Sequence, residues 1–311
     1  MNFQQLEYII AIDKLRNFVK ASEACFVTQA TLSMMVKKLE EELGVRIFDR
    51  SRQPVKTTLI GEKIISQAKK ILAESRKLKE IIDDEKDIVH GELRIGIIPT
   101  LAPYLLPLFL KNFLRDFPLV KLVINELTTD VILQKLKNGD LDAAILATPL
   151  HEHSLHEQVL FYERYYLYVG QKEKGFDKQF VLSKDIDINR LWLLEEGHCM
   201  RSQILNFCSL KKQKEAEEQF HYNAGSIETL KNMVDTSFGM TIIPELATHN
   251  MSAAQKKRLR TFKNPVPVRE ISLVTHHEFL KATLIGSLKQ SIMAVIPHHM
   301  LQHKQSTILE I

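Results

Sequence analysis

Gln29-Ala30-Thr31-Leu32-Ser33-Met34-Met35-Val36-Lys37-Lys38-Leu39-Glu40-Glu41-Glu42-Leu43, closed by Gly44, decides how the first part of the chain is read. Leu32, Val36, Leu39 and Leu43 recur at three and four residues and form one apolar stripe, the mark of an amphipathic helix. Thr28 stands where an N-cap belongs, and Gly44 where a helix ends. Opposite the stripe lie Gln29, Thr31, Ser33, Met34 and Lys37, with no carboxylate until Glu40. Side chains that donate and accept hydrogen bonds without negative charge suit the DNA major groove.

Upstream, Phe3, Leu6, Ile9, Ile10 and Ile12 give a helix over Asn2 to Leu15, and a short second helix runs from Phe18 to about Ala24, before the turn at Cys25-Phe26-Val27. Downstream, the stretch from Arg46 to Thr58 reads as a two-stranded wing with a basic tip. Residues 1–58 therefore read as a winged helix-turn-helix. From Leu59 to Asp87 one long helix is expected, with Ile64, Ala68, Ile71, Ser75, Leu78 and Ile82 alternating at three and four residues. Such a seam suits a two-helix coiled coil and predicts a homodimer through this linker, residues 59–88; the plainer account is that the stripe packs on its own chain. Between Arg46 and Lys79 ten Lys or Arg face three acids, a local basic footprint for phosphates or, more plainly, a solvated helix face.

The whole composition is that of an ordinary globular protein: 311 residues, 45% hydrophobic, 26% charged, net charge +4. Apolar runs such as Leu105 to Leu110 are too short to span a bilayer, and the N-terminus lacks a basic region followed by an apolar core. A cytoplasmic protein without membrane contact is expected.

From Glu92 onward the pattern changes. Leu93 to Ile98 reads as a strand, Leu101 to Phe113 as a helix, Val120 to Glu126 as a strand, Asp130 to Asn138 as a helix, and Gly139 to Leu146 as a turn into a buried strand. A second set covers Tyr165 to Val169, Leu191 to Leu194, Ser226 to Leu230 and Gly239 to Pro244, and the strand Glu270 to Val274 should return to the first set. Alternation of this kind argues for parallel α/β architecture in two lobes with a cleft. Ligands in such sheets sit at the carboxyl ends of strands against helix N-termini, where Thr100, Thr129 and Cys199 fall. Read more simply, the two threonines are caps.

Cys199 and Cys208 lie within a helix pattern that should keep their sulfurs apart. Nine helical positions separate the Cα atoms by roughly 13 Å, whereas a disulfide needs about 4.4–6.8 Å. A bond between them would unwind the helix, so the pair is a candidate redox switch. Cys199 follows His198 at a helix start with Arg201 close by, which favours the thiolate, while Cys208 falls on the apolar stripe of Met200, Ile204 and Phe207. Cys199 should react first and Cys208 resolve. The plain alternative makes both small buried hydrophobes, as Cys25 should be.

Gln29-Ala30-Thr31-Leu32-Ser33, Lys38-Leu39-Glu40-Glu41-Glu42-Leu43-Gly44 and Phe48-Asp49-Arg50 resemble the DNA-binding domain of LysR-type transcriptional regulators. The resemblance implies groove contacts from Gln29, Thr31, Ser33 and Lys37 and wing contacts from Arg50 and Arg52, on double-stranded DNA at promoter operators. It also implies a periplasmic-binding-protein-like effector domain over residues 89–311, with lobe I at about 89–162 and 269–311 and lobe II at about 163–268. Ala30 replaces a frequent proline, and Met34-Met35 is unusually apolar for that helix.

A second set is similar to the peroxide-sensing members of the family: Gly197-His198-Cys199-Met200-Arg201, Phe207-Cys208, Ile97-Ile98-Pro99-Thr100, Pro103 to Pro107 and Glu228 to Val234. The similarity implies that hydrogen peroxide oxidises Cys199 to a sulfenic acid, which Cys208 captures as a disulfide. Thr100, Thr129 and His198 would hold the peroxide, with Arg201, His221 and Arg269 in support. An activator of the oxidative-stress response follows, forming a homotetramer, contacting RNA polymerase and needing no cofactor; it is not an enzyme. Ser202 stands where the family commonly has an acid.

A LysR-type regulator answering to a small organic metabolite, with incidental cysteines, remains the alternative. A peroxide-reducing enzyme would leave the winged helix unexplained. The histidines at 151, 153 and 156, at 276 and 277, and at 298, 299 and 303 lie in polar loops or the tail without a companion cysteine motif, so no metal site is expected and the side chains should be solvated. The tail from Ala294 onward is expected to matter little to sensing.

Overall fold

The computed structural model describes residues 1–51, 53–84, 89–171, 173, 179–195, 198–208, 224–236, 239–263, 265–276, 281–302 and 306–309. The chain divides into two compact units, Met1–Ile88 and Val89–Ile311.

In the first unit, α1 (Phe3–Leu15) opens on a capping box in which the Asn2 and Gln5 side chains each accept the other's backbone N–H at 2.9 Å. Asn17 caps α2 (Phe18–Ala24), and the Thr28 hydroxyl caps α3 (Gln29–Leu43) by accepting Thr31 N–H. Gly44, at φ 68°, closes α3 in the left-handed conformation that favours glycine. Leu32, Val36 and Leu39 face the core as the periodicity predicts; Leu43, expected beside them, is 39% exposed because α3 ends there. The wing is a ladder of β1 (Phe48–Asp49) and β2 (Lys56–Thr57), and α4 (Leu59–Asp84) follows. Ile65, Ala68 and Leu72 of α4 pack into this unit's own core, with Ile64 and Ile71 partly buried against it. The early turns of the expected seam are therefore partly used within the chain; the side chains of Leu78 and Ile82 lie outside the described residues.

In the second unit, β3 (Gly91–Ile97), α5 (Ala102–Asp116), β4 (Val120–Glu126), α6 (Thr129–Lys137) and β5 (Ala143–Thr148) form the first lobe's opening set. β3 pairs in parallel with both β4 and β5. Gly96 lets α6 approach, since a Cβ there would lie 2.8 Å from Leu141 Cδ1 and 3.0 Å from Ile132 Cγ1. The long β6 (Leu155–Val169) then leaves this lobe for the next. The second lobe adds β7 (Phe180–Val181), β8 (Leu191–Trp192), α7 (Cys199–Phe207), α8 (Ile227–Thr236), β9 (Met240–Pro244), α9 (Ala253–Lys256) and β10 (Leu259–Phe262). β11 (Val266–His276) returns to the first lobe, followed by α10 (Ala282–Met293) and β12 (Ser306–Ile308).

Parallel pairing, expected from the alternation of strands and helices, holds for β4-β3-β5 and for the β7–β10 and β8–β9 pairs, while the strands that join the lobes run antiparallel. β11 runs antiparallel to both β5 and β6, and β6 runs antiparallel to β9 and β10. The reason lies in β6: its Leu155–Arg164 portion pairs with β11, and its Tyr165–Val169 portion pairs with β9. Glu163, Tyr165 and Arg269 therefore stand where the sheets of the two lobes meet.

The C-terminal tail is not peripheral. Ile296, Met300 and Leu309 are buried, and β12 adds to β11 in parallel. His299 is exposed, as expected, and lies 2.8 Å from Glu245 Oε1.

Candidate functional site

Cys199 is the first residue of α7, and its thiol is buried. Burial pushes this thiol above its ordinary value, while the Thr129 hydroxyl, the Arg269 guanidinium and the amides of Met200 and Cys199 pull the other way. Cys208 sits at the far end of the same helix, its N–H bonded to the Ile204 carbonyl at 3.0 Å. Burial alone drives its thiol up to about 12. Of the two sulfurs, Cys199 is the one given groups that stabilise a thiolate. α7 is intact between them, at a Cα separation of roughly 13 Å.

The cation beside Cys199 differs from expectation. Arg201 Nη1 donates to the Leu194 carbonyl at 2.8 Å, and His198 Nε2 lies 3.7 Å from Glu195 Oε1. Arg269, fully buried, supplies the positive charge instead. Its Nε donates to Glu163 Oε2 at 2.8 Å, Nη1 to Thr100 Oγ1 at 2.8 Å and Nη2 to the Thr100 carbonyl at 3.2 Å. Burial opposes its charge, yet Glu163, Tyr165 and Cys199 hold it above its ordinary value. Glu163 is fixed in turn by Leu246 N–H at 2.7 Å.

Neither threonine is a cap. Leu101 and Thr128 occupy the N-cap positions of α5 and α6 without side-chain bonds, and Thr129 is already helical. Thr100 Oγ1 accepts Arg269 Nη1–H, which leaves its own hydrogen to donate. Among the described residues Thr129 Oγ1 is buried with no nitrogen or oxygen partner, and it faces the Cys199 sulfur. Buried polar groups without partners are uncommon and ask for a ligand or a reactive neighbour. Thr100, Thr129, Cys199 and Arg269 thus converge, with His198 as the N-cap residue of α7; Ser202 is exposed, and His221 lies outside the described residues.

Sequence reasoning missed Glu163, Tyr165 and Gln203. A signal existed for two of them: a carboxylate beside Arg164 in the largely aromatic and aliphatic run Leu160 to Val169, and an amide four residues after Cys199 on its helical face. Tyr165 O–H donates to Gln203 Oε1 at 2.8 Å, and Gln203 Nε2 donates to the Leu309 carbonyl at 2.7 Å.

In the first unit, Gln29, Ser33 and Arg50 line one cleft of about 510 Å³ together with Arg16, Lys20 and Gln53. Gln29, Thr31 and Lys37 are exposed; Lys37 lies 3.6 Å from Glu41, and the Thr31 and Thr28 hydroxyls are 2.9 Å apart. Arg50 is engaged within the chain, donating to Glu40 Oε2 at 2.9 Å while its guanidinium sits 4.9 Å over the Phe18 ring. Arg52 lies outside the described residues.

A winged helix-turn-helix joined to a two-lobed domain with a buried, cation-flanked thiol at its hinge defines a class, the DNA-binding transcriptional regulators with an effector domain of their own. The family profile for the LysR substrate binding domain matches residues 86–293, and that for the bacterial regulatory helix-turn-helix protein, lysR family, matches residues 3–62. The chain belongs to the LysR family of regulators.

Among relatives, it is 36% identical over 274 residues to the hydrogen peroxide-inducible genes activator of Dickeya chrysanthemi, covering 88% of this chain and 89% of that protein. Among solved structures it is similar to full-length OxyR of Pseudomonas aeruginosa carrying a cysteine-to-aspartate substitution, with TM-score 0.78 and 33% identity over 95% of this chain and 99% of that one. A cysteine-to-serine OxyR variant of Corynebacterium glutamicum with hydrogen peroxide bound matches at TM-score 0.59 and 25% identity, covering 94% of each chain.

Proposed function

We propose that this regulator senses hydrogen peroxide through Cys199, captures the oxidised state with Cys208, and activates genes of the oxidative-stress response. The observation that carries the reading is the buried Cys199 thiol at the start of α7, facing an unpartnered Thr129 hydroxyl and the charge of Arg269. The relatives' names support the same ligand.

Peroxide is small and neutral, so it needs hydrogen bonds rather than a counter-ion. Thr100, Thr129 and His198 would orient it. The Cys199 thiolate attacks one oxygen, the O–O bond breaks, and hydroxide departs to be protonated to water, leaving a sulfenic acid. Donors aimed at the departing oxygen stabilise the charge that develops there. Cys208 then displaces the hydroxyl as water and closes the disulfide, which α7 cannot accommodate intact. The change of shape is the signal.

For the rest of the chain, residues 1–58 act as the DNA-reading head, with Gln29, Thr31, Ser33, Lys37, Arg50 and Arg52 on operator DNA. Residues 59–88 form the dimerising linker and residues 89–311 the sensor, with lobe II at about 163–268. A homotetramer in the cytoplasm that contacts RNA polymerase, and that turns over no substrate, completes the reading. Among the described residues no helix is long and apolar enough to cross a membrane.

Peptide mass spectrometry of the reduced protein after brief stoichiometric peroxide tests the chemistry. A Cys199–Cys208 disulfide with Cys25 still free is expected. Unreactive cysteines would overturn it.

A further inference from the structure

The end of the chain reaches the cysteine helix, and the sensing chemistry leaves that contact unused. β12 pairs with β11 through Val266↔Ser306, Pro267↔Thr307 and Val268↔Ile308, and Leu309 N–H continues the pairing onto the Val268 carbonyl at 2.9 Å. Leu309 is thereby buried beside the strand that carries Arg269, and its carbonyl turns to α7 to accept the Gln203 amide at 2.7 Å. Gln203 is fully buried, and its other amide atom accepts Tyr165 O–H at 2.8 Å. One side chain in the middle of α7 is clamped between the hinge strand β6 and the tail.

Gln203 follows Cys199 by four residues and so lies one turn along the same face. Bringing the sulfurs together shortens a Cα separation of roughly 13 Å to about 4.4–6.8 Å, which α7 allows only by unwinding. When it unwinds, Gln203 leaves, and a buried carbonyl and a buried phenol lose their partner where water does not replace it.

We propose that Gln203 is a positioning residue for the second oxidation step, held by the C-terminal strand, so that the tail sets how readily Cys208 reaches oxidised Cys199. The inference rests on the peroxide reading above. In that step the Cys208 sulfur attacks the Cys199 sulfur, the S–O bond breaks, and the hydroxyl leaves as water with the Cys208 proton. Peroxide, reduced in the first step, is the oxidant. Gln203 takes no part in these bond changes; it keeps α7 wound and so delays them.

The test follows the two steps separately in the full-length chain. Gln203→Met keeps the volume and removes both hydrogen bonds. A chain ending at His303 removes β12 and the Leu309 carbonyl while leaving α7 untouched, so a folding defect in one variant does not remove the other. Sulfenic acid trapping in a Cys208→Ser background should show Cys199 oxidised at the parental rate in both. With both cysteines present, the disulfide should form roughly tenfold faster in each variant, the factor expected for one net buried hydrogen bond. An unchanged disulfide rate overturns the inference. So does an equal change in both steps, which would place Gln203 in the peroxide pocket or in general stability. If the parent itself forms no Cys199–Cys208 disulfide, the peroxide reading falls; that failure is read from the parent alone, and the two are told apart.

Discussion

Arg269 and Glu163 meet in the interior with both side chains fully buried, joined by Arg269 Nε and Nη2 to the same carboxylate oxygen, each at 2.8 Å. They sit on β11 and β6 where the sheets of the two lobes meet, and Arg269 carries the link onward to Thr100. A buried pair need not stabilise a fold against an apolar replacement, but removing one partner strands the other charge. Glu163→Ala should therefore cost about 3–5 kcal/mol of stability. Urea unfolding of the reduced protein measures it, and a loss below about 1 kcal/mol, the level of an exposed pair, would show the guanidinium has another way to be satisfied.

The reactivity of Cys199 should rise with pH well into the alkaline range. Burial sets its thiol above the ordinary value of 9.0, despite Thr129, Arg269 and the helix amides. A raised value means a smaller thiolate fraction at any given pH, and only the thiolate attacks. In a Cys208→Ser chain, the rate constant for peroxide should still be climbing at pH 9, without a plateau at neutrality. A profile already flat at pH 7 would mean that the cation and the hydroxyl outweigh burial.

Thr129→Val separates ligand binding from folding. The hydroxyl caps no helix and, among the described residues, has no nitrogen or oxygen partner, so losing it should leave the unfolding midpoint unchanged or slightly higher. Removing one donor aimed at a developing charge typically slows a reaction by about a hundredfold. Stopped-flow oxidation of Cys199 at low peroxide should show a slowing of that order. Parental kinetics would remove Thr129 from the peroxide pocket.

Periodicity was a good guide wherever one face of an element met one core. The stripe of Leu32, Val36 and Leu39, the cap at Thr28 and the stop at Gly44 are local, and local physics decides them. It was a poor guide where partners are distant in sequence. Nothing near Arg269 announces Glu163, 106 residues away, and nothing near Gln203 announces Leu309, also 106 away. The expectation that Arg201 would supply the charge at Cys199 followed from proximity along the chain, but Arg201 is spent on a carbonyl seven residues back. The tail adds a strand, β12, whose register is set by pairing with the distant β11 and so by nothing local to residues 306–308.

Glu40 is the first carboxylate of α3, and its side chain is largely buried, 11% exposed. Its Oε1 accepts the N–H groups of Ile47 at 2.7 Å and Phe48 at 3.2 Å, and its Oε2 accepts Arg50. One carboxylate thus ties α3 to the start of the wing and aims Arg50, whose guanidinium rests over Phe18. Glu40→Ala leaves two part-buried amides without acceptors and frees Arg50. Hydrogen bonds to a charged acceptor are worth about 1.5–3 kcal/mol, so the first unit should lose roughly 2 kcal/mol. Operator affinity should fall with it, because the wing and Arg50 are no longer held beside Gln29 and Ser33. Glu40→Gln keeps one acceptor oxygen and should recover part of the stability while leaving Arg50 unneutralised. Thermal unfolding and gel-shift titration of both variants check this, and undiminished DNA binding by Glu40→Ala would show that the wing holds its shape without the tie.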